Sequence, residues 1–197
     1  MTFDILLALA AFCLVTLFSP GPNNLMLMAS GANYGVRRSL PHLSGVAVGF
    51  PLMILPVGLG VMQLFEAFPP LHLALKIASV AYLLYLAWKI AHATTPKEAE
   101  AGSHPLSFFQ AAAFQWVNPK AWSMALGAIT LYAPGRDIGS ILWICAAFLL
   151  IGVGSALTWT TLGTAVRRLL ADPRRLQVFN WTMAALLVAS MAFVLIA

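Results

Sequence analysis

The chain is dominated by long stretches without a charged residue. Counting Lys, Arg, Asp and Glu as interruptions, the uncharged runs cover residues 5–36, 39–65, 101–119, 138–166 and 176–197. Each run approaches or exceeds the ~20 residues that an α-helix needs to cross a bilayer. The pattern predicts several membrane-spanning helices joined by short connections.

Composition supports the same interpretation. Of the 197 residues, 61% are hydrophobic and 9% are charged, against about 25% charged residues in an ordinary soluble domain. The net charge of +5 does not indicate a nucleic-acid partner, because the basic residues form no continuous basic helix and lie mostly between the apolar runs. We predict one all-α, polytopic membrane domain that lies in a lipid bilayer.

Six spans give the best count, at about residues 3–33, 43–65, 71–90, 107–132, 138–166 and 178–196. Two spans are interrupted by residues that disfavour a continuous helix. The first is broken by Ser19-Pro20-Gly21-Pro22-Asn23-Asn24, and the fourth by Asn118-Pro119-Lys120. Further prolines and glycines predict a kink in the second span, at Pro51, Pro56, Gly58 and Gly60.

The two halves of the chain share one layout. Each has three spans and opens with a broken helix, and an odd number of spans inserts the second half upside down relative to the first. This is the layout of a 3+3 inverted repeat, in which broken helices meet near the midplane. We predict a first half at residues 1–92, a cytoplasmic linker at residues 93–106 and a second half at residues 107–197. Such an architecture favours transport over enzymatic activity.

Basic residues are distributed unequally over the connections. Alternate assignment of the connections leaves only Arg136 on one side of the membrane. The other side receives Arg37, Arg38, Lys89, Lys97, Arg167, Arg168, Arg174 and Arg175. The positive-inside rule places this larger group in the cytoplasm, which puts both termini on the opposite side.

The first break predicts a binding site for an amino acid. Because proline has no amide hydrogen, Pro20 and Pro22 would free the carbonyls of Thr16 and Phe18. A helix that restarts after this break would present unpaired amides at the positive end of its dipole, namely those of Asn23, Asn24 and Leu25. A carboxylate would suit the helix start, and an ammonium would suit the freed carbonyls. The alternative is a purely structural kink, and the same choice applies to the second break, where Pro119 would free the carbonyl of Gln115.

Lys120 carries a charge inside a predicted span. A lysine at the bilayer centre costs roughly 2.5 to 3.5 kcal/mol on insertion scales, so a lysine beside a break usually faces a cavity or a partner. It could pair with a substrate carboxylate or change protonation during transport; the alternative is a side chain that extends to the cytoplasmic interface. The carboxylates near the spans lie at span ends, so none is evident as a proton carrier: Asp4, Glu66 and Asp137.

No catalytic site, metal or cofactor is predicted. The sequence has no nucleophile elbow, no phosphate-binding glycine loop and no metalloprotease helix. Two cysteines and four histidines have no spacing typical of metal ligands.

In order along the chain, several motifs resemble the lysine exporter (LysE/RhtB) family. They are Ser19-Pro20-Gly21-Pro22-Asn23-Asn24, Gly35-Val36-Arg37-Arg38, the glycines Gly45 and Gly49, Ala81-Tyr82-Leu83-Leu84-Tyr85-Leu86-Ala87-Trp88-Lys89 and Phe114-Gln115-Trp116-Val117-Asn118-Pro119-Lys120. The resemblance implies a bacterial inner-membrane exporter of amino acids, driven by the proton gradient. In that membrane, the orientation predicted from the basic residues puts both termini in the periplasm. Its motifs point to the site residues Pro20, Gly21, Pro22, Asn23, Asn118, Pro119 and Lys120.

We therefore expect a secondary exporter of small amino acids or their derivatives, working by alternating access. Asn24 and Gln115 complete the expected substrate site. Because the site has no evident acidic residue, neutral substrates are favoured over basic ones. Two alternatives stay open: a thiol-redox carrier that uses Cys13 and Cys145, and a membrane assembly subunit without transport. Homo-oligomer formation also stays open.

Overall fold

The structure is a computed structural model that describes residues 2–61, 63, 67–68, 70–93, 104–167, 169–170 and 172–190. Its elements in this part of the chain are helical: α1 Phe3–Phe18, α2 Pro22–Pro56, a π-helical segment Val57–Val61, α3 Pro70–Ala91, α4 Phe108–Val117, α5 Pro119–Tyr132, α6 Ile138–Arg167 and α7 Pro173–Ser190. The all-α prediction is confirmed. Most of the predicted linker, Glu66, Arg168 and the end of the sixth span lie outside the described residues.

Within the described part of the chain, three helical segments are long and apolar enough to cross a membrane: Pro22–Val61, Leu73–Ala91 and Ile138–Arg167. Large apolar side chains also project outwards, including Leu150 of α6, which is 75% exposed, and Phe109 of α4, which is 80% exposed. Exposed apolar surface on this scale is unfavourable in water and is typical of a lipid-facing exterior.

Helix α2 is two helical arms that fold back on each other at Gly35. The hydroxyl oxygens of Ser30 and Ser39 lie 2.8 Å apart, whereas nine residues of straight helix would separate them by roughly 13 Å. Gly35 allows the reversal because its φ of 77° is costly for residues with a Cβ. The first arm covers residues 22–34 and the second residues 36–56.

This reversal corrects the predicted start of the second span. The sequence predicted a loop before residue 43, but helix resumes directly after Gly35, so Arg37 and Arg38 are helical. A single glycine makes the turn, and no longer connection is needed. The predicted kink lies at the end of this span, where the π-helical segment contains Gly60 with a φ of 109°; Pro51 remains inside α2.

Both predicted breaks are present. The first separates α1 from α2 at residues 19–21, and α2 begins with Pro22 after the extended residue Gly21. The second is the single residue Asn118 between α4 and α5, with Pro119 as the first residue of α5. Proline suits the first helical position because it has no amide that would need a partner there. Ser107 and Gln110 form a capping box that begins α4.

Glycines bring four helices into close contact. A Cβ at Gly31 of the first arm would collide with the backbone of Thr160 in α6, and one at Gly163 of α6 would collide with the backbone of Met28. On the second arm, a Cβ at Gly45 would collide with the backbone of Phe108 in α4, and one at Gly49 with the backbone of Ala112. Buried apolar residues form clusters between these helices and their neighbours α1, α3, α5 and α7, and the breaks lie beside them.

We expect Gly163→Ala to destabilise the protein, since neither backbone can yield easily; overpacking of this kind typically costs about 1–3 kcal/mol. Gly154→Ala on the same helix is the matched control, because no atom lies within 4 Å of its Cβ position. Thermal unfolding of the detergent-purified chain should show a lower Tm for Gly163→Ala only. Equal Tm values for the two variants would contradict the close helix contact.

Candidate functional site

The two breaks meet each other across the protein. The side-chain amide of Asn23, at the start of α2, donates to Oε1 of Gln115 at 2.9 Å, and Nε2 of Gln115 donates back to Oδ1 of Asn23 at 3.2 Å. Gln115 also donates to the carbonyl of Ala111 at 2.9 Å. These residues are far apart in sequence, so the paired amides fix the first broken helix to the second.

Lys120 makes the second link between the breaks. Its ammonium donates to the carbonyl and the hydroxyl of Ser19, at 2.8 and 2.9 Å, and to the carbonyl of Pro20 at 3.4 Å. The side chain passes over Gly21, where an added Cβ would lie 2.7 Å from Cδ of the lysine. The side chain of Lys120 is therefore directed toward the first break.

The other carbonyls at the first break also have partners. The amide of Asn24 donates to Leu17 at 2.7 Å and to Ser19 at 2.8 Å. Ser155, from α6, donates to the carbonyl of Leu17 at 2.8 Å, and the Ser19 hydroxyl lies 2.8 Å from the carbonyl of Thr16. The Ser19 hydroxyl thus satisfies the Thr16 carbonyl that the sequence suggested for a substrate ammonium, and Leu17 and Ser19 also have side-chain partners within the protein.

The backbone amides at the starts of α2 and α5 are not all unpaired, whereas the sequence predicted unpaired amides for α2. The amide of Leu25 donates to the carbonyl of Gly21 at 3.0 Å, so it is paired within the helix and the prediction of a free amide there is wrong. At the second break, Oδ1 of Asn118 accepts the amide of Lys120 at 3.2 Å, and the carbonyl of Gln115 accepts the amide of Asn118 at 3.3 Å. Asn118 thus caps α5.

A cavity of about 40 Å³, enough for a few water molecules, lies beside the linked breaks. We call it the central cavity. Five of the predicted site residues line it: Gly21, Asn23, Asn24, Asn118 and Lys120. Four do not: Pro20, Pro22, Gln115 and Pro119. The prolines position the breaks, and Gln115 holds Asn23 in place.

Among the described residues that line the central cavity, Lys120 is the one charged group and none is acidic. Thr16 and Ser155 add hydroxyls, while Phe50, Met124 and Phe148 supply apolar walls. The arrangement can bind a carboxylate at the lysine and offers no partner of opposite charge to a second substrate ammonium.

Sequence reasoning missed Ser155. It lies in the middle of the uncharged run of residues 138–166, where a hydroxyl is an interruption of an apolar segment that could have been noticed. The aromatic walls carried no such signal, since phenylalanine is equally suited to core and lipid contact.

The profile of the LysE type translocator family matches residues 14–197 of the chain. The chain belongs to the LysE family of translocators. LysE-type translocators are transporters, so this chain is a membrane transporter and not an enzyme.

Several relatives of this LysE-family chain have the same name. The cysteine/O-acetylserine efflux protein of Klebsiella pneumoniae is 32% identical over 191 residues, which cover 95% of each chain. The proteins of that name from Escherichia coli K12 and Shigella sonnei are 30% identical over 192 residues, 95% of this chain and 96% of theirs. No solved structure matches the chain significantly.

The paired amides predict coupling between Asn23 and Gln115. We expect Asn23→Ala and Gln115→Ala each to lower the Tm of the purified chain, and the double variant to lower it by clearly less than the sum, because either single change already breaks the pair. The control cycle combines Asn23→Ala with Ser140→Ala, far from the pair. Additive Tm shifts for Asn23 and Gln115 would contradict the contact.

Proposed function

We propose that the chain exports small neutral amino acids, of the size and charge of cysteine and O-acetylserine, across the bacterial inner membrane. The observation that carries this proposal is the central cavity: two helix breaks, joined by Lys120, line one space that contains a cation and, among its described residues, no acid. The names of the relatives, which align over nearly the whole chain, support the same substrate class.

The proposed topology has six spans arranged as a 3+3 inverted repeat. Helix α1 with the first arm of α2 is the broken first span, the second arm of α2 is the second span and α3 is the third. Helices α4 and α5 form the broken fourth span, followed by α6 and α7. The reversal at Gly35 supports the division of α2 between two spans. The halves are residues 1–92 and 107–197, the linker of residues 93–106 is cytoplasmic, and both termini are periplasmic.

The proposed substrate site consists of the nine residues predicted from the sequence, in two roles. Residues that line the central cavity contact the substrate: Gly21, Asn23, Asn24, Asn118 and Lys120. Residues that shape or join the breaks position them: Pro20, Pro22, Gln115 and Pro119.

The contacts of Lys120 suggest how a substrate is bound. Its ammonium occupies carbonyls of the first break, which is where the ammonium of an amino acid would also find acceptors. A substrate carboxylate attracts the lysine away from Ser19 and Pro20, and the substrate ammonium then takes the carbonyls that the lysine leaves. Binding thus exchanges one set of charge-assisted hydrogen bonds for another, and the link between the two broken helices is released as the substrate enters.

This exchange supplies the step that alternating access requires. In the state described, Lys120 and the Asn23–Gln115 pair hold the two breaks together. A ligand shifts a conformational equilibrium only through different contacts in the two states, and here the substrate replaces the lysine link. We propose that the proton gradient drives the cycle.

The test is export from proteoliposomes that contain the full chain. We expect a pH gradient with the acidic side outside to accelerate the exit of a labelled neutral amino acid such as cysteine or O-acetylserine. Collapse of the gradient should remove the acceleration. Labelled lysine and arginine should move little. If no compound of a broad amino-acid panel moves while the protein is folded, the proposed function is wrong; movement that ignores the gradient would refute proton coupling alone.

The cysteines distinguish export from thiol-redox transfer. Cys13 and Cys145 have free thiols, and the double variant Cys13→Ser, Cys145→Ser should export at close to the native rate. Complete loss of activity in this variant would favour the redox carrier.

The site residues give a second prediction. We expect Lys120→Met to abolish export, because it removes the cation that receives the substrate carboxylate, and we expect Asn23→Ala and Asn118→Ala to reduce export at least tenfold. Lys76→Met, which changes a lysine of α3 outside the cavity, is the matched control and should export normally. Each variant is quantified in the membrane by immunoblot. Full export in all three site variants would refute the proposed site.

A further inference from the structure

His42 is buried without a hydrogen-bond partner. Its side chain lies on the second arm of α2 with 2% of its surface exposed, and neither Nδ1 nor Nε2 has a partner among the described residues. Buried polar side chains are nearly always hydrogen-bonded, because an unpaired buried donor or acceptor costs free energy. The imidazole therefore requires a partner that is not part of the described chain.

A second cavity, of about 40 Å³, lies beside this imidazole. We call it the His42 cavity. Lys89 of α3 and His104, just before α4, also line it, and among its described lining residues none is acidic. Like the central cavity, it combines positive charge with apolar walls, here supplied mainly by Met26, Leu86, Ile90 and Leu106.

Two polar side chains of this wall are already paired. Asn33 exchanges amide hydrogen bonds with Asn180 at 2.8 and 3.1 Å, and Ser30 contacts Ser39. The structure shows no ion pair for Lys89 within the described residues. The cavity thus keeps the side-chain nitrogens of His42, Lys89 and His104 for an occupant.

The two arms of α2 place the His42 cavity between the Gly35 turn and the central cavity. On the first arm, Ser30 and Asn33 line the His42 cavity, whereas Asn23 and Asn24 line the central one. On the second arm, His42 lies nearer the Gly35 turn and lines the His42 cavity. Val46, Ala47 and Phe50 lie farther from the turn and line the central cavity. On the second arm His42 and Val46 are about one helical turn apart, whereas on the first arm the two linings meet at Met26 and Leu27.

Buried apolar residues separate the two cavities. Met26, Leu27, Leu43 and Val46 belong to one hydrophobic cluster, together with Phe114 of α4. Met26 lines the His42 cavity, while Leu27 and Val46 line the central cavity. A solute that passes from one cavity to the other must displace this cluster, so the cavities can hold separate occupants.

We propose that the His42 cavity is a second binding site, for the carboxylate of a small amino acid, on the cytoplasmic side of the central cavity. Lys89 supplies the ammonium and His42 a ring N–H to the carboxylate, since anions prefer charge-assisted donors and the described residues of the wall include no competing acid. The role of this site as the entry to the export route depends on the proposed function. Whether the site binds a carboxylate can be tested independently of export.

The binding test uses the purified full chain and diethyl pyrocarbonate, which can modify the buried imidazole of His42 only if small molecules enter the cavity, with the products located by mass spectrometry. No modification of His42 in the ligand-free chain would show that small solutes do not enter and would overturn the site. We expect millimolar O-acetylserine, cysteine or acetate to slow modification of His42 at least fivefold, and the methyl ester of O-acetylserine, which lacks the carboxylate charge, to have no such effect. Protection should be lost in Lys89→Met and kept in Lys76→Met. His92, outside the cavity, is the internal control and should react at an unchanged rate.

The transport test uses inside-out membrane vesicles, in which added substrate meets the cytoplasmic face. We expect His42→Leu and Lys89→Met to raise the half-saturating concentration of O-acetylserine about tenfold while the maximal rate stays within about twofold. His92→Leu and Lys76→Met are the matched controls and should behave as the native chain. A role in packing alone would instead lower the maximal rate with the amount of folded protein.

The two tests separate the second site from the proposed function. Failure of every carboxylate to protect His42, or equal protection by the methyl ester, overturns the second site whatever the export results are. Protection without export by the native chain supports a carboxylate site and refutes the proposed function. Native half-saturation in both His42→Leu and Lys89→Met overturns the role of the site in substrate entry.

Discussion

The contact between the Lys120 ammonium and the backbone of the first break is the interaction on which the arrangement of the molecule depends. A helix break exposes carbonyls that hydrocarbon cannot satisfy, and a charged lysine is equally costly there. Placed 2.8 Å apart, each satisfies the other, so the two costs largely cancel. Because Ser19 and Lys120 are about a hundred residues apart in the chain, the same contact also positions the first broken helix against the second.

The polar interior is organised around that docking. Asn24 and Ser155 satisfy carbonyls that Lys120 does not reach, and the Asn23–Gln115 pair fixes the neighbouring helix start. The outer surface is different in kind: it is apolar on α1, α3, α4 and α6, as expected where lipid replaces water. The buried polar side chains described above therefore lie in the interior, at the contact between the broken helices and along the walls of the two cavities.

Much of this follows from the sequence, because proline and glycine act locally. The positions of both breaks, the inward role of Lys120 beside one of them and the all-helical class depend on residues near each other in the chain. The partners of the freed carbonyls did not follow, since Lys120 and Ser155 reach the first break from α5 and α6. The reversal at Gly35 was also missed: a glycine between two helical segments is compatible with a loop, a kink or a one-residue turn. His42 was placed near a loop for the same reason, because its burial depends on that reversal.

The glycine contacts have a mechanical consequence. Where backbones touch, as between Gly31 and Thr160 or between Gly45 and Phe108, no flexible side chain lies between the helices to absorb sliding. The first arm of α2 is therefore held directly against α6, and the second arm against α4. The backbone passes between the arms through Gly35 alone, a residue with unusually wide rotational freedom, and the Ser30–Ser39 hydrogen bond ties the arms beside the turn. Sliding of either arm along its partner helix is thus opposed by direct backbone contact, and Gly35 is left as the place in the hairpin where the backbone rotates most freely.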